Sequence, residues 1–166
     1  MVQRFASQIV ESARGKPILD LACGSGRNAL TLARLDSHVI CADIDLNRLG
    51  TLPRNEITLR MQARQINFAA DPWPFEIGSL GGIMNVHFML PSLFAHFADS
   101  ITSGGILLIE TVPGCGGNYV QLPKAGELNS AFQQKFDFLF YKERKVGPRS
   151  SDAVVVRMVG KRKDNF

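Results

Sequence analysis

The stretch Ile18-Leu19-Asp20-Leu21-Ala22-Cys23-Gly24-Ser25-Gly26-Arg27 decides how the rest of the chain is read. Ile18, Leu19 and Leu21 form a short apolar run suited to a buried strand, and Asp20 stands near its end. Gly24 and Gly26 let the backbone turn tightly and approach a ligand closely. Ala29, Leu30, Leu32 and Ala33 then begin an amphipathic helix. A strand, a glycine turn and a helix in that order make the local plan of a nucleotide-type cofactor site, because the helix N-terminus points its free N–H groups into the cleft.

Upstream, Val2, Phe5, Ala6, Ile9, Val10 and Ala13 recur at helical spacing, and Gly15 and Pro17 stop that helix. Downstream, a second strand is expected over His38 to Ala42, ending at Asp43, followed by a short helical segment from Leu46 to Leu52 that Pro53 closes. The segment from Arg54 to Arg64 has no clear period, and a third strand is placed around Gln65 to Phe68. Gly82 to Asn85 reads as a buried strand. Leu90, Leu93, Phe94, Phe97, Ala98 and Ile101 keep helical spacing, with Gly104 and Gly105 as the stop. Ile106 to Ile109 is continuously apolar and closes at Glu110, as for a central parallel strand covered on both faces. A glycine- and proline-rich stretch, VPGCGGNYVQLPKAGEL, follows and is read as a loop overhanging the cleft. Phe136 to Tyr141 and Ala153 to Val159 are the last two strands, joined by a turn at Gly147 and Pro148. Strands alternating with helices, then two strands in succession, predict an α/β fold: a doubly wound, mostly parallel, seven-stranded sheet with an antiparallel C-terminal strand pair.

The chain has 166 residues, 45% of them hydrophobic, which suits one domain spanning 1–166 with a full core. No apolar run approaches the roughly 20 residues that a bilayer requires, and the first residues lack the continuous apolar segment of a signal peptide, so a cytoplasmic protein with no membrane partner is expected. Cys23, Cys41 and Cys115 are three in number and form no CxxC pair, which supports neither a disulfide framework nor a metal site. The net charge of +4 raises nucleic acid as a partner, but the basic residues are scattered, and the densest run, Lys161 to Lys163, sits beside Asp164 at the C-terminus. A solvated tail accounts for it.

The string around Asp20, Gly24 and Gly26 resembles the first motif of class I S-adenosylmethionine-dependent methyltransferases, in which an acid opens the loop and GxG follows. A third glycine is usual where Ala22 stands. The segments DPWPF, IMNVHFMLPSL, SGGILLIET and LPKAGEL extend the resemblance to small bacterial members of tellurite-resistance and thiopurine type, over nearly the whole chain. The resemblance implies a Rossmann-like fold, S-adenosyl-L-methionine as cofactor and a small-molecule methyl acceptor. It assigns Asp20 to the methionine amino group and the backbone at Ala22, Gly24 and Gly26 to the methionyl and ribose portions. Asp43, at the end of the second strand and 17 residues beyond Gly26, is assigned to the ribose hydroxyls, with Ile44 beside it. Two acceptor oxygens match two adjacent hydroxyl donors. Asp71 is assigned to the adenine amino group, although Pro72 behind it has no N–H for a ring nitrogen. Asn85 offers a backbone carbonyl to the cofactor. His87 is a candidate catalytic base near the transfer site, because histidine exchanges protons near neutral pH, and a packed histidine is the alternative. Glu110, Tyr119 and Lys124 flank the expected cleft.

Three other functions compete. A cofactor-binding module without turnover would carry the same loop. A nicotinamide oxidoreductase is suggested by Gly24, Gly26 and Ala29 read as GxGxxA, but Asp20 and the two residues between Leu21 and Gly24 argue against it. A nucleic-acid methyltransferase of the base-amino type would need prolines after Asn85, where Val86 and His87 stand, and one of the cytosine-C5 type would need a Pro-Cys pair, which the chain lacks.

Overall fold

A computed structural model describes residues 1–52, 55–112 and 122–164. Helix α1 (Val2–Ala13) precedes strand β1 (Ile18–Leu21), helix α2 (Arg27–Ala33) and strand β2 (Val39–Asp43). Strand β3 (Met61–Gln65) and strand β4 (Leu80–Val86) follow, then helix α3 (Phe94–Ser100), strand β5 (Ile101–Glu110), helix α4 (Glu127–Phe132) and strands β6 (Phe136–Lys145) and β7 (Val154–Arg162). The seven strands form one sheet in the order β3-β2-β1-β4-β5-β7-β6. β1 to β5 run parallel, and β7 is antiparallel to both β5 and β6. The expected fold class is therefore the observed one.

Alternate side chains of the strands feed two cores, one on each face of the sheet. Leu19, Leu21, Ile83, Leu107 and Ile109 pack with Phe97, Phe132 and the aromatic residues around them. Ile18, Cys41, Met84, Ile106 and Leu108 pack instead against α1 and α2 through Ala6, Ile9, Ala29 and Leu32. Burial on both faces explains why Ile106 to Ile109 of β5 reads as an unbroken apolar run.

Several boundaries differ from the sequence reading. The third strand occupies Met61–Gln65 rather than Gln65 to Phe68. It lies at the sheet edge with Gln62, Ala63 and Gln65 exposed, so it carries little of the apolar signal that marks a buried strand. Only a single 3-10 turn, Leu49–Thr51, forms where a helical segment from Leu46 to Leu52 was expected. Gly104 and Gly105 do not stop a helix. α3 ends at Ser100, and both glycines lie inside β5, next to a register irregularity between Leu80 and Gly82. A Cβ on Gly105 would stand 2.5 Å from the Gly81 carbonyl oxygen, so the strand bends there because two backbones approach closely. The short helix α4 gave no clear sequence signal. Pro53, Cys115 and Tyr119, and most of the stretch read as an overhanging loop, fall outside the described residues. No helix among the described residues is long and apolar enough to cross a membrane.

Phe97 is fully buried and packs against Trp73, Phe94 and Phe132. Phe97→Ala is expected to lower stability by about 3 to 5 kcal/mol, a large share of a typical domain's total, read as a shift in the urea unfolding midpoint.

Candidate cofactor cleft

The strand order reverses between β1 and β4, which are neighbours in the sheet although β2 and β3 separate them in the chain. In open α/β sheets such a reversal leaves a crevice beyond the carboxyl ends of the strands. Register brings Leu21, Ala42, Asn85 and Ile109 to one level there, with Asp43, Val86 and Glu110 one step further out. The loop from Ala22 to Gly26 emerges into this space and turns three times through the left-handed region, at Ala22 (φ 54°), Gly24 (φ 54°) and Gly26 (φ 72°). That conformation favours glycine, which gives a physical reason for the glycine usual at the position of Ala22. Alanine carries a strain of about 1 kcal/mol or more.

Four hydrogen bonds pin the loop. Gly24 N–H donates to Asp43 Oδ2 at 2.7 Å and Cys23 N–H to the Ala42 carbonyl at 3.1 Å, tying the loop to the end of β2. Gly26 N–H closes the turn on the Cys23 carbonyl at 2.9 Å. Ala29 N–H, at the start of α2, donates to Asp20 Oδ2 at 3.0 Å. The other oxygen of Asp43 accepts from Asp45 N–H at 3.1 Å. The result is a cleft of about 330 Å³ bordered by Ala22, Gly24, Asn28, Arg48, His87 and Glu110. A side chain on Gly24 would meet nothing within 4 Å, so the space above the loop is open to a ligand.

The residues singled out in the sequence take different places around it. Gly24 and Ala22 line the cleft, and Asp43, outside the lining itself, holds Gly24 from the end of β2. Ile44 is 59% exposed beside Asp43, and its carbonyl accepts from Gln65 Nε2 at 3.1 Å. Gly26 is closely packed on its other side: a Cβ there would stand 2.5 Å from Leu49 Cδ1. Asp20 is wholly buried beneath the loop and does not line the cleft. Its Oδ1 has no hydrogen-bond partner. Burial raises its carboxyl pKa to about 7, against the opposing pull of the Ala29 N–H and with a smaller upward push from Asp43. The same pocket holds Cys41, whose thiol is kept protonated by a bond with Cys23 and by burial.

Asn85 is 1% exposed at the end of β4, and neither Oδ1 nor Nδ2 has a partner. An orphaned buried amide of this kind asks for a polar group beside it. His87 lines the cleft with a left-handed backbone (φ 63°), held by its N–H to the Glu110 carbonyl at 2.8 Å. Glu110 sits 2.9 Å from Arg157 and 3.4 Å from the Met1 amino nitrogen. Lys124 is exposed, pairs loosely with Asp152 at 3.9 Å and is not part of the cleft lining.

Asp71 is displaced by the earlier end of β3. It lies six residues beyond Gln65, exposed, and closes a turn in which its carboxylate accepts from Asn67 N–H at 2.7 Å and its own N–H donates to the Asn67 carbonyl at 2.7 Å. Asn67 lies two residues past the strand, just after Ile66, whose N–H bonds to the Asp43 carbonyl at 2.9 Å.

No family model matches the chain, and no curated protein matches it by sequence. Solved structures do match. TehB from Haemophilus influenzae superposes with a TM-score of 0.65 at 20% identity, over 95% of this chain and 62% of that one. This chain thus spans less than two thirds of TehB. The 1,6-didemethyltoxoflavin-N1-methyltransferase of Burkholderia thailandensis, solved with S-adenosylhomocysteine, matches with a TM-score of 0.62 at 15% identity, over 98% of this chain and 79% of that one. The [4+2]-cyclase SpnF matches with a TM-score of 0.67 at 14% identity, over 98% of this chain and 81% of that one. The fold is that of the class I S-adenosylmethionine-dependent methyltransferases, and SpnF shows that this fold also carries other chemistry.

Because the Asp20 pKa is raised on folding, its contribution to stability is full below the unfolded value near pH 4 and is lost as pH rises towards 7. Asp20→Asn keeps an acceptor for Ala29 N–H and removes the buried charge. The variant should unfold with a flatter pH profile between 4 and 7 and gain on the order of 2 kcal/mol at pH 8, measured by chemical denaturation at both ends of that range.

Proposed function

We propose that the chain binds S-adenosyl-L-methionine in this cleft and transfers its methyl group to a small-molecule acceptor. The observation that carries the reading is the loop after β1, pinned to Asp43 and turned so that the space over Gly24 stays open between β1 and β4. When bound, the cofactor would supply an electrophilic methyl group on a sulfonium. The protein's contribution is then position and exclusion of water, so the lack of a nucleophilic residue set is consistent with catalysis.

Asp43 would receive the ribose hydroxyls on the lone pairs that Gly24 and Asp45 leave unused, since a carboxylate has about four acceptor sites. Ala22 and Gly24 would carry the methionyl portion on their backbone. Asp20 would act from beneath the loop, by holding Ala29 N–H at the start of α2. Ile44, exposed beside Asp43, would cover the adenine, and Asn67 replaces Asp71 as the polar group beside it. Asn85 would meet the cofactor at the end of β4, where its unpartnered amide lies. His87, on a left-handed backbone at the rim of the cleft, would take a proton from an acceptor hydroxyl, amine or thiol.

Calorimetric titration with S-adenosylmethionine and S-adenosylhomocysteine, with NADH as control, tests the reading: saturable binding of the adenosyl compounds alone is expected, and binding of NADH alone would transfer the site to an oxidoreductase. Asp43→Ala should weaken adenosyl binding by about 1 to 3 kcal/mol, roughly tenfold or more, as for loss of a hydrogen bond in a desolvated site. His87→Ala should leave that affinity unchanged, and a fall in turnover with it would mark the imidazole as the base.

A further inference from the structure

Beyond the cofactor cleft, a second cavity of about 200 Å³ opens at the antiparallel end of the sheet, lined by Thr111, Val112, Lys142, Arg144, Val155 and Arg157. In the sequence Lys142-Glu143-Arg144, the acid stands between the two cations along the chain. The pleat of β6 separates them, because successive side chains point to opposite faces. Lys142 and Arg144 line the cavity, while Glu143 turns away and accepts from Gly126 N–H at 3.1 Å and from the Tyr141 hydroxyl.

Register adds a third cation. Lys142 stands directly opposite Arg157 on β7, and Arg144 opposite Val155. Like charges facing each other across a strand pair are unfavourable. Arg157 is relieved by Glu110 at 2.9 Å, but the side chains of Lys142 and Arg144 have neither a hydrogen bond nor an ion pair among the described residues. The stretch Pro113 to Gln121 contains no Asp or Glu that could supply the missing charge. Val112 and Val155 add apolar walls to the same hollow. Glu110 borders the cofactor cleft and its neighbour Thr111 borders this cavity, so the two linings adjoin along the chain, and the Glu110–Arg157 ion pair joins a residue of each.

We propose that Lys142, Arg144 and Arg157 form the acceptor's anchoring subsite, binding an oxyanion group, a carboxylate or a phosphate, on a small methyl acceptor whose reacting atom reaches toward His87. The proposal rests on the methyltransferase reading for the identity of the ligand as acceptor, and on the cavity alone for its anionic character. Arg144 supplies a planar fork suited to two oxygens of one group, and Lys142 a mobile point charge beside it. The hollow, about 200 Å³, has the size of one such group with part of its carrier.

Amide chemical shifts of the 15N-labelled protein, with S-adenosylhomocysteine present and at constant ionic strength, test the subsite by titration with benzoate, inorganic phosphate and neutral benzamide. Saturable shifts centred on Thr111, Lys142, Arg144, Val155 and Arg157 are expected for an anion and not for benzamide. The tighter of benzoate and phosphate identifies the oxyanion. Lys142→Gln and Arg144→Gln should each weaken that anion at least tenfold, with S-adenosylhomocysteine binding as the check that the fold is intact. Absence of saturable shifts, equal response to benzamide, or an unchanged affinity in both variants would overturn the proposal. Tighter binding of a single-stranded oligonucleotide, with shifts spreading beyond the hollow, would overturn it in favour of a nucleic-acid surface. Anion binding in a protein that takes no adenosyl compound would overturn the role as acceptor site through the failure of the methyltransferase reading, and leave the anion site itself standing.

Discussion

The hydrogen bond from Gly24 N–H to the Asp43 carboxylate joins two segments that leave the sheet from adjacent strands. Without it, the loop after β1 would have only the Cys23 to Ala42 contact to hold it against β2. With it, the loop's left-handed turns are fixed, α2 begins in line with Asp20, and the space between β1 and β4 keeps its shape. The same carboxylate also holds Asp45, so one side chain sets the direction of both chain exits. A residue proposed to bind ligand is therefore also a structural tie. Preorganisation of that kind lowers the ordering that binding would otherwise require.

Two buried polar groups sit on opposite sides of this arrangement and do different things. Asp20 lies on the α2 face, among Cys23 and Cys41, and its raised pKa reflects a carboxyl kept in apolar surroundings with a single N–H partner. Asn85 lies one register step away, paired with Leu21 in β4, and has no partner at all. The first is satisfied enough to hold the loop. The second is a cost that a folded chain rarely carries unless something else binds there.

The central strands were legible in the sequence because burial on both faces leaves unbroken apolar runs, as in Ile106 to Ile109, and the glycine loop was legible because its chemistry is local. The edge strand β3 was not, since exposed Gln62, Ala63 and Gln65 carry no apolar pattern, and its earlier end leaves Asp71 six residues beyond the strand. Gly104 and Gly105 misled for a related reason. Glycine marks both helix ends and close backbone approach, and only the distance to Gly81 distinguishes them. The basic hollow could not be seen by scanning for charge, because β6 alternates its signs along the chain and separates them only when folded.

Thr111 and Val156 exchange two hydrogen bonds, Thr111 N–H to the Val156 carbonyl at 2.9 Å and Val156 N–H to Thr111 Oγ1 at 2.8 Å. Val154 N–H donates to the Pro123 carbonyl at 2.9 Å, and Lys124 bridges Ala153. Both ends of the stretch between β5 and α4 are thus fastened to the same strand, β7 and its approach. A segment fastened at both ends can be exchanged in length and composition without loosening the sheet. It is a natural point for grafting, at which new sequence could be installed while the loop after β1 and its tie to Asp43 stay as they are.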